Sequence, residues 1–114
     1  MANRKQNIAD SGQLLEAFWR RHSFHDMAIE SVRRVSGRVN IVLDEYVLSL
    51  TRATRFTGQM DEFPDVWIDG TLDGRDGKLE LSVVTELGSF LVDFADARLI
   101  RRLDFAILIP EIDK

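Results

Sequence analysis

Residues 79–94, LELSVVTELGSFLVDF, decide the fold. Apolar side chains occupy every second position on both sides of a turn at Leu87-Gly88-Ser89: Leu79, Leu81, Val83, Phe90, Val92 and Phe94. An apolar period of two places one face of a strand against a core and the other toward solvent. The stretch therefore predicts an antiparallel hairpin with one buried face.

The same period of two recurs on both sides of this hairpin. Shorter strands are predicted at 53–56 and 66–68, and Phe105, Ile107 and Ile109 predict a last strand. In residues 39–50 the apolar phase slips by one position at Asp44-Glu45. A one-residue slip turns every side chain to the other face, so a β-bulge is the simpler interpretation and two separate strands is the other. Residues 97–103 suit either a strand or a helical turn.

A helical period appears near the start of the chain. Leu14, Leu15, Phe18 and Trp19 recur at the spacing of one helix face, and Arg20-Arg21-His22 would suit the last turn of a helix that ends near residue 22 or 23. We therefore expect an α+β fold, with one N-terminal helix packed on a largely antiparallel meander of about six to seven strands. Residues 1–9 are expected to be a polar lead-in, and residues 10–114 a single domain.

The composition excludes several classes of protein. The 114 residues include no cysteine, which excludes disulfides, thiol nucleophiles and Cys-ligated metals. Fifteen Lys and Arg against nineteen Asp and Glu give a net charge of −4, which argues against binding to nucleic acid. Neither a signal-peptide core nor an apolar run long enough to span a membrane is visible, so we expect a cytoplasmic protein.

The segment from Asp69 to Glu80 has a spacing that suggests calcium. Five residues occupy ligand or glycine positions of a twelve-residue calcium loop: Asp69, Thr71, Asp73, Gly74 and Glu80. Strand patterns on both sides oppose that interpretation, because an EF-hand needs flanking helices. Asp-Gly pairs are also typical of hairpin connections. The sequence therefore favours a loop over residues 69–77 and no metal site.

Acidic residues are concentrated in residues 61–76. We predict that this stretch forms an acidic patch that binds a basic partner protein, through Asp61, Glu62, Asp65, Trp67, Asp69, Asp73 and Asp76. Trp67 would contact the partner if it pointed outward, although a place in the core is the more usual one for tryptophan. The simpler interpretation of the whole stretch is a solvated surface of turns.

His25 and Asp26 belong to the one histidine cluster in the sequence. A His-Asp pair occurs among the metal ligands of helical phosphohydrolases, but those sites need further ligands that this chain does not show. We favour a junction role, in which His25 and Asp26 connect helix to strand above a packed Phe24. The sequence shows no nucleophile with its base and no glycine-rich phosphate loop. The arginine pairs 20–21, 33–34 and 101–102 are expected to be solvated or locally paired.

The segment Ser23-Phe24-His25-Asp26-Met27-Ala28-Ile29-Glu30-Ser31-Val32 carries a resemblance. Its Phe-His-Asp followed by a strand pattern resembles the opening of small bacterial proteins of unknown function, some of them similar to immunity proteins of polymorphic toxin systems. The resemblance implies a compact α+β binding protein, with Phe24, His25 and Asp26 as signature positions.

These observations together predict a small bacterial domain that binds a protein partner, without enzymatic activity and without a cofactor. The alternative is a small-ligand or metal-binding domain, with hydrolytic activity through His25, Asp26 and nearby carboxylates. Homo-oligomers are a further expectation, because an open meander leaves two sheet edges.

Overall fold

The computed structural model describes residues 11–21, 24–58, 63–75 and 78–110. One helix, α1 (Ser11–Arg21), precedes nine strands: β1 (Ala28–Val35), β2 (Arg38–Leu43), β3 (Tyr46–Thr51), β4 (Arg55–Gly58), β5 (Asp65–Arg75), β6 (Lys78–Thr85), β7 (Ser89–Phe94), β8 (Asp96–Arg101) and β9 (Ile107–Ile109). The expected α+β class is wrong, because the described chain is a mostly β fold with a single short helix. The predicted lead-in at residues 1–9 lies outside the described residues.

All neighbouring strands are antiparallel, in the order β4-β7-β6-β5-β1-β2-β3-β8-β9. Strands from opposite halves of this order follow each other directly in the chain, because β3 leads into β4 and β7 leads into β8. Ala95 N–H donates to the carbonyl of Thr51 (3.2 Å), and Thr54 N–H donates to that of Asp93 (2.8 Å). The β3–β8 pairing therefore continues into the β4–β7 pairing, and the bent sheet closes around its buried face.

That buried face is the core. Cross-strand pairs such as Ile41 with Leu48, Leu48 with Leu99, and Leu81 with Val92 point into it. The hairpin predicted over residues 79–94 is present as β6 and β7, and its alternating apolar side chains are buried. Burial of apolar surface at roughly 25 cal/mol per Å² makes this face the main source of stability.

Three local predictions are corrected by the strand boundaries. The bulge at Asp44-Glu45 is wrong, because these residues form the turn between two separate strands, β2 and β3. The loop over residues 69–77 is wrong as well, since β5 continues to Arg75 in register with β6. Residues 96–101 form a strand rather than a helical turn, and Phe105 lies outside β9.

Candidate protein-binding surface

Phe24 is the centre of an aromatic cluster that joins the helix to the sheet. Its ring lies 5.2 Å from the ring of Trp67 on β5 and 5.6 Å from that of Tyr46 on β3. From α1, the Phe18 ring lies 5.8 Å away and the Trp19 ring 5.6 Å away. Aromatic rings at these separations gain energy beyond the area they bury. The cluster therefore fixes α1 against the core.

His25 and Asp26 attach the same segment to β5. The His25 ring Nδ1–H donates to the carbonyl of Ile68, and Asp26 N–H donates to the carbonyl of Trp67 at 2.7 Å. Asp26 has a φ of 68°, in the left-handed region that aspartate tolerates better than most residues. His25 Nε2 lies 3.5 Å from the Asp26 carboxylate, and both side chains are exposed. These contacts place the pair at the junction between helix and strand.

The arrangement of the described residues gives little support to a metal-binding or ligand-binding site. In the part of the chain that the structure describes, no group of three or more His, Asp or Glu side chains is placed to hold a metal ion. A hollow of about 210 Å³ lies beside Arg55, Lys78 and Leu79, below the usual size of a ligand pocket. Its Arg55 is already paired with Glu80 (3.1 Å) and Asp93 (2.8 Å).

The predicted acidic patch is divided between the core and the surface. Trp67 is only 1% exposed and Asp65 is buried, so neither contacts a partner in this fold. Asp69 and Asp73 are exposed on β5. The remaining predicted members, Asp61, Glu62 and Asp76, lie outside the described residues.

Asp65 accepts hydrogen bonds from within the fold. Its Oδ1 accepts from Val66 N–H (2.7 Å) and from Leu87 N–H (3.2 Å), and its Oδ2 accepts from the Thr85 hydroxyl (2.6 Å). Thr85 Oγ1 in turn accepts from Gly88 N–H at 2.9 Å. A buried carboxylate is tolerated when its oxygens are hydrogen-bonded in this way. Asp65 therefore holds the β6–β7 turn against the start of β5.

The described surface presents a group of exposed apolar side chains that the sequence did not indicate. Leu103, Phe105 and Ile107, here called the apolar tip, are 89%, 79% and 60% exposed. Leu103 and Phe105 lie in the loop between β8 and β9, and Ile107 begins β9. Large exposed apolar groups that lie together mark interaction sites more often than single ones do.

The loop that carries the apolar tip is held in place by several contacts. The Arg101 guanidinium donates two hydrogen bonds to the Asp104 carboxylate, from Nε (3.0 Å) and from Nη2 (2.9 Å). The backbone N–H of Arg101 donates to the carbonyl of Ala106 (2.9 Å). Phe105 has a φ of 59°, which is uncommon for a bulky residue and is found where surrounding structure enforces it. The loop therefore presents its aromatic side chain to solvent in a defined position.

Arg102 ties this loop to the neighbouring β2–β3 turn. Its N–H donates to the carbonyl of Glu45 (2.9 Å), and its Nη1 donates to the carbonyl of Leu43 (2.7 Å). The same Nη1 lies 3.0 Å from the Glu30 carboxylate. The two turns thus form one end of the sheet.

Charge around the apolar tip is predominantly acidic. Glu30 and Asp104 pair with Arg102 and Arg101, while Asp44 and Glu45 in the adjacent turn are exposed. Hydrogen bonds from Arg101 lower the pKa of Asp104 from 3.8 to about 2, and the same contact raises the pKa of Arg101. The positive charges of Arg101 and Arg102 are thus balanced by Asp104 and Glu30, and the turn at Asp44-Glu45 adds further negative charge beside the apolar tip.

The arginine pairs predicted to be solvated or paired behave differently from one another. Arg101 and Arg102 are paired, as described above. Arg33 and Arg34 are exposed and point to opposite faces of β1, as adjacent residues on a strand must. The side chains of residues 20 and 21 lie outside the described part.

Comparisons with known proteins add no relative: no family model, no curated protein and no solved structure matches the chain. The resemblance of residues 23–32 to immunity proteins therefore stays a prediction. Among the described residues, no helix is long and apolar enough to cross a membrane.

Proposed function

We propose that this protein acts by binding another protein, and that the apolar tip is the centre of the contact. The observation that carries the proposal is Phe105, a large aromatic side chain held outward by a loop with defined hydrogen bonds. Interfaces concentrate their binding energy in a few aromatic and aliphatic side chains. A loop already fixed in place loses little conformational entropy on binding.

The charge beside the tip specifies the partner surface further. Asp44 and Glu45 favour a partner with basic residues around an apolar pocket, since complementary charge increases the association rate and selects the partner. If the apolar tip joined two copies of this chain, the same acidic turns would come together and repel each other. The proposed partner is therefore a different protein rather than a second copy of this chain. The resemblance of residues 23–32 to immunity proteins supports a binding role rather than a catalytic one.

A comparison of partners captured by variants tests the proposal. Wild-type protein and the double variant Leu103→Ser, Phe105→Ser are used to capture partners from the source cell, and the proteins retained are quantified. Burying one such side chain is worth about 1.5–3 kcal/mol, so we expect the double variant to lose its specific partner.

The matched control is Leu87→Ser, because Leu87 is an equally apolar side chain, 59% exposed, on a different turn. It should retain the partner. If Leu103→Ser, Phe105→Ser keeps the same partners as wild type, or if Leu87→Ser loses them equally, the tip is not the contact. Light scattering on the same samples would show a change of oligomeric state if the tip instead joined two copies.

A further inference from the structure

The outer face of the half-sheet formed by β1, β2, β3 and β8 is basic, although the chain is acidic. Register places Arg33, Asn40, Ser49 and Arg98 in one cross-strand row. The next row contains Val35, Arg38, Thr51 and Asp96. The core side chains, such as Leu48 and Leu50, alternate with these and point the other way. Three arginines from three strands therefore share a face.

Among the described residues, two buried polar atoms on this face have no hydrogen-bond partner: the hydroxyl of Thr51, which is 5% exposed, and the Nε of Arg98. A buried polar group without a partner costs free energy, and such groups call for an explanation such as a bound water, ion or ligand. Both groups can donate a hydrogen bond, so the ligand that would satisfy them is an acceptor.

The positions of these donors suit one small anion. Arg38 lies directly opposite Thr51 on the adjacent strand, and Arg98 lies diagonally across from Thr51 on the other side. Diagonal neighbours in a sheet are about 7–8 Å apart, within reach of a long side chain. Asp96, also beside Thr51, pairs with Arg52 at 2.7 Å, which offsets its negative charge.

We propose that this face binds a tetrahedral oxyanion of the phosphate class, with Arg98, Thr51 and Arg38 as its donors. A phosphate group has several acceptor oxygens and about two negative charges, and it matches two guanidinium groups and a hydroxyl better than a carboxylate does. An anion that accepts from both Arg98 Nε and the Thr51 hydroxyl gives each of these buried donors a partner. The ligand is inorganic phosphate or the terminal phosphate of a small molecule.

Calorimetric titration tests the site with inorganic phosphate, glycerol 3-phosphate and acetate at constant ionic strength. We expect saturable binding of the two phosphates and much weaker binding of acetate. Tighter binding of glycerol 3-phosphate would support a phosphorylated small molecule, and equal binding would support free phosphate. No saturable binding of either phosphate, or equal binding of acetate, would overturn the proposal.

Three variants separate the site from general charge. Arg98→Gln and Thr51→Val should each weaken phosphate binding, by about tenfold for the charged donor. Thr51→Val removes a hydroxyl that has no partner, so folding is retained while the donor is lost. The matched control is Arg34→Gln, which removes the same charge from the opposite face of β1 and should change affinity less than about twofold. Equal losses in Arg34→Gln and Arg98→Gln would contradict a defined site.

Discussion

Replacing Asp65 by asparagine tests whether this acidic residue belongs to the interior, as the structure shows, or to a binding surface. The carboxylate accepts from two backbone N–H groups and from the Thr85 hydroxyl. An asparagine amide has one acceptor oxygen, so its NH₂ group must face at least one of these donors. A hydrogen bond to a charged group is worth about 1.5–3 kcal/mol, and we expect Asp65→Asn to lower the free energy of unfolding by about 2 kcal/mol.

The effect should be visible in thermal and chemical unfolding. For a chain of this length, each kcal/mol shifts Tm by about 4 °C, so Asp65→Asn should lower Tm by about 8 °C. Asp65→Ala removes all three acceptor contacts and leaves two N–H groups without their partner. We expect it to cost about 3–5 kcal/mol, near the limit of what a domain of this size tolerates.

Asp73→Asn is the matched control, because Asp73 is exposed on the same strand and has the same charge. It should change the free energy of unfolding by less than about 0.5 kcal/mol. A double-mutant cycle with Thr85→Val should give a coupling energy above about 1 kcal/mol. Equal effects of Asp65→Asn and Asp73→Asn, or no coupling to Thr85, would refute the reasoning.

Three other substitutions test separate parts of the structure. Phe24→Ala should lower the free energy of unfolding in urea by about 3–5 kcal/mol, because it empties the centre of the aromatic cluster; a loss below about 1 kcal/mol would contradict that role. Thr51→Val should leave stability unchanged or raise it by up to about 1 kcal/mol in the same assay, since the hydroxyl has no partner; a clear loss would show that it has one. The Asp104 carboxyl should titrate by NMR near pH 2. Because its folded pKa lies below the unfolded value, its contribution to stability is present above about pH 4 and is lost as pH falls toward 2. Asp104→Asn or added salt should remove this dependence, and a carboxyl that titrates near pH 4 would exclude the contact with Arg101.

The strands with strict apolar alternation were predictable from sequence. In β6 and β7 each apolar side chain falls on the buried face, because a period of two agrees with the geometry of a half-buried strand. The prediction of these strands succeeds because the local pattern and the global packing require the same residues.

β5 was not predictable in the same way, because its glycines have a packing function. A Cβ on Gly70 would lie 2.9 Å from Cζ2 of the Trp67 ring, so the indole occupies the space of a side chain. A Cβ on Gly74 would lie 3.2 Å from Leu79 and 3.3 Å from the Glu16 carboxylate. In the sequence these Asp-Gly pairs are indistinguishable from turn residues. The long-range pairing of β5 with β6 overrides that local preference.

The apolar tip was missed for a related reason. Phe105, Ile107 and Ile109 alternate as the residues of a buried strand would, and this period predicts a strand that contains all three. In the structure the left-handed φ at Phe105 and the Arg101–Asp104 contact end that strand pattern and turn Phe105 outward. The exposure of Phe105 depends on its backbone conformation and on a neighbouring ion pair, and hydrophobic periodicity reports neither.

The two proposed surfaces can act separately because of their spacing along the half-sheet. Arg38 is the first residue of β2 and Asp44 directly follows the last one; the two are six residues apart, which is about 20 Å at the rise of a strand. The Debye length at physiological ionic strength is about 8 Å, so each group of charges is largely screened from the other. A basic partner at the acidic end would therefore interact electrostatically with the acidic turn and only weakly with the arginines. An anion on the outer face would interact with the arginines, and the net charge of −4 would have little effect on it. It follows that Arg98→Gln should leave partner capture unchanged and that Phe105→Ser should leave phosphate binding unchanged. If either substitution affected both activities, the two surfaces would have to be coupled through the fold rather than through their fields.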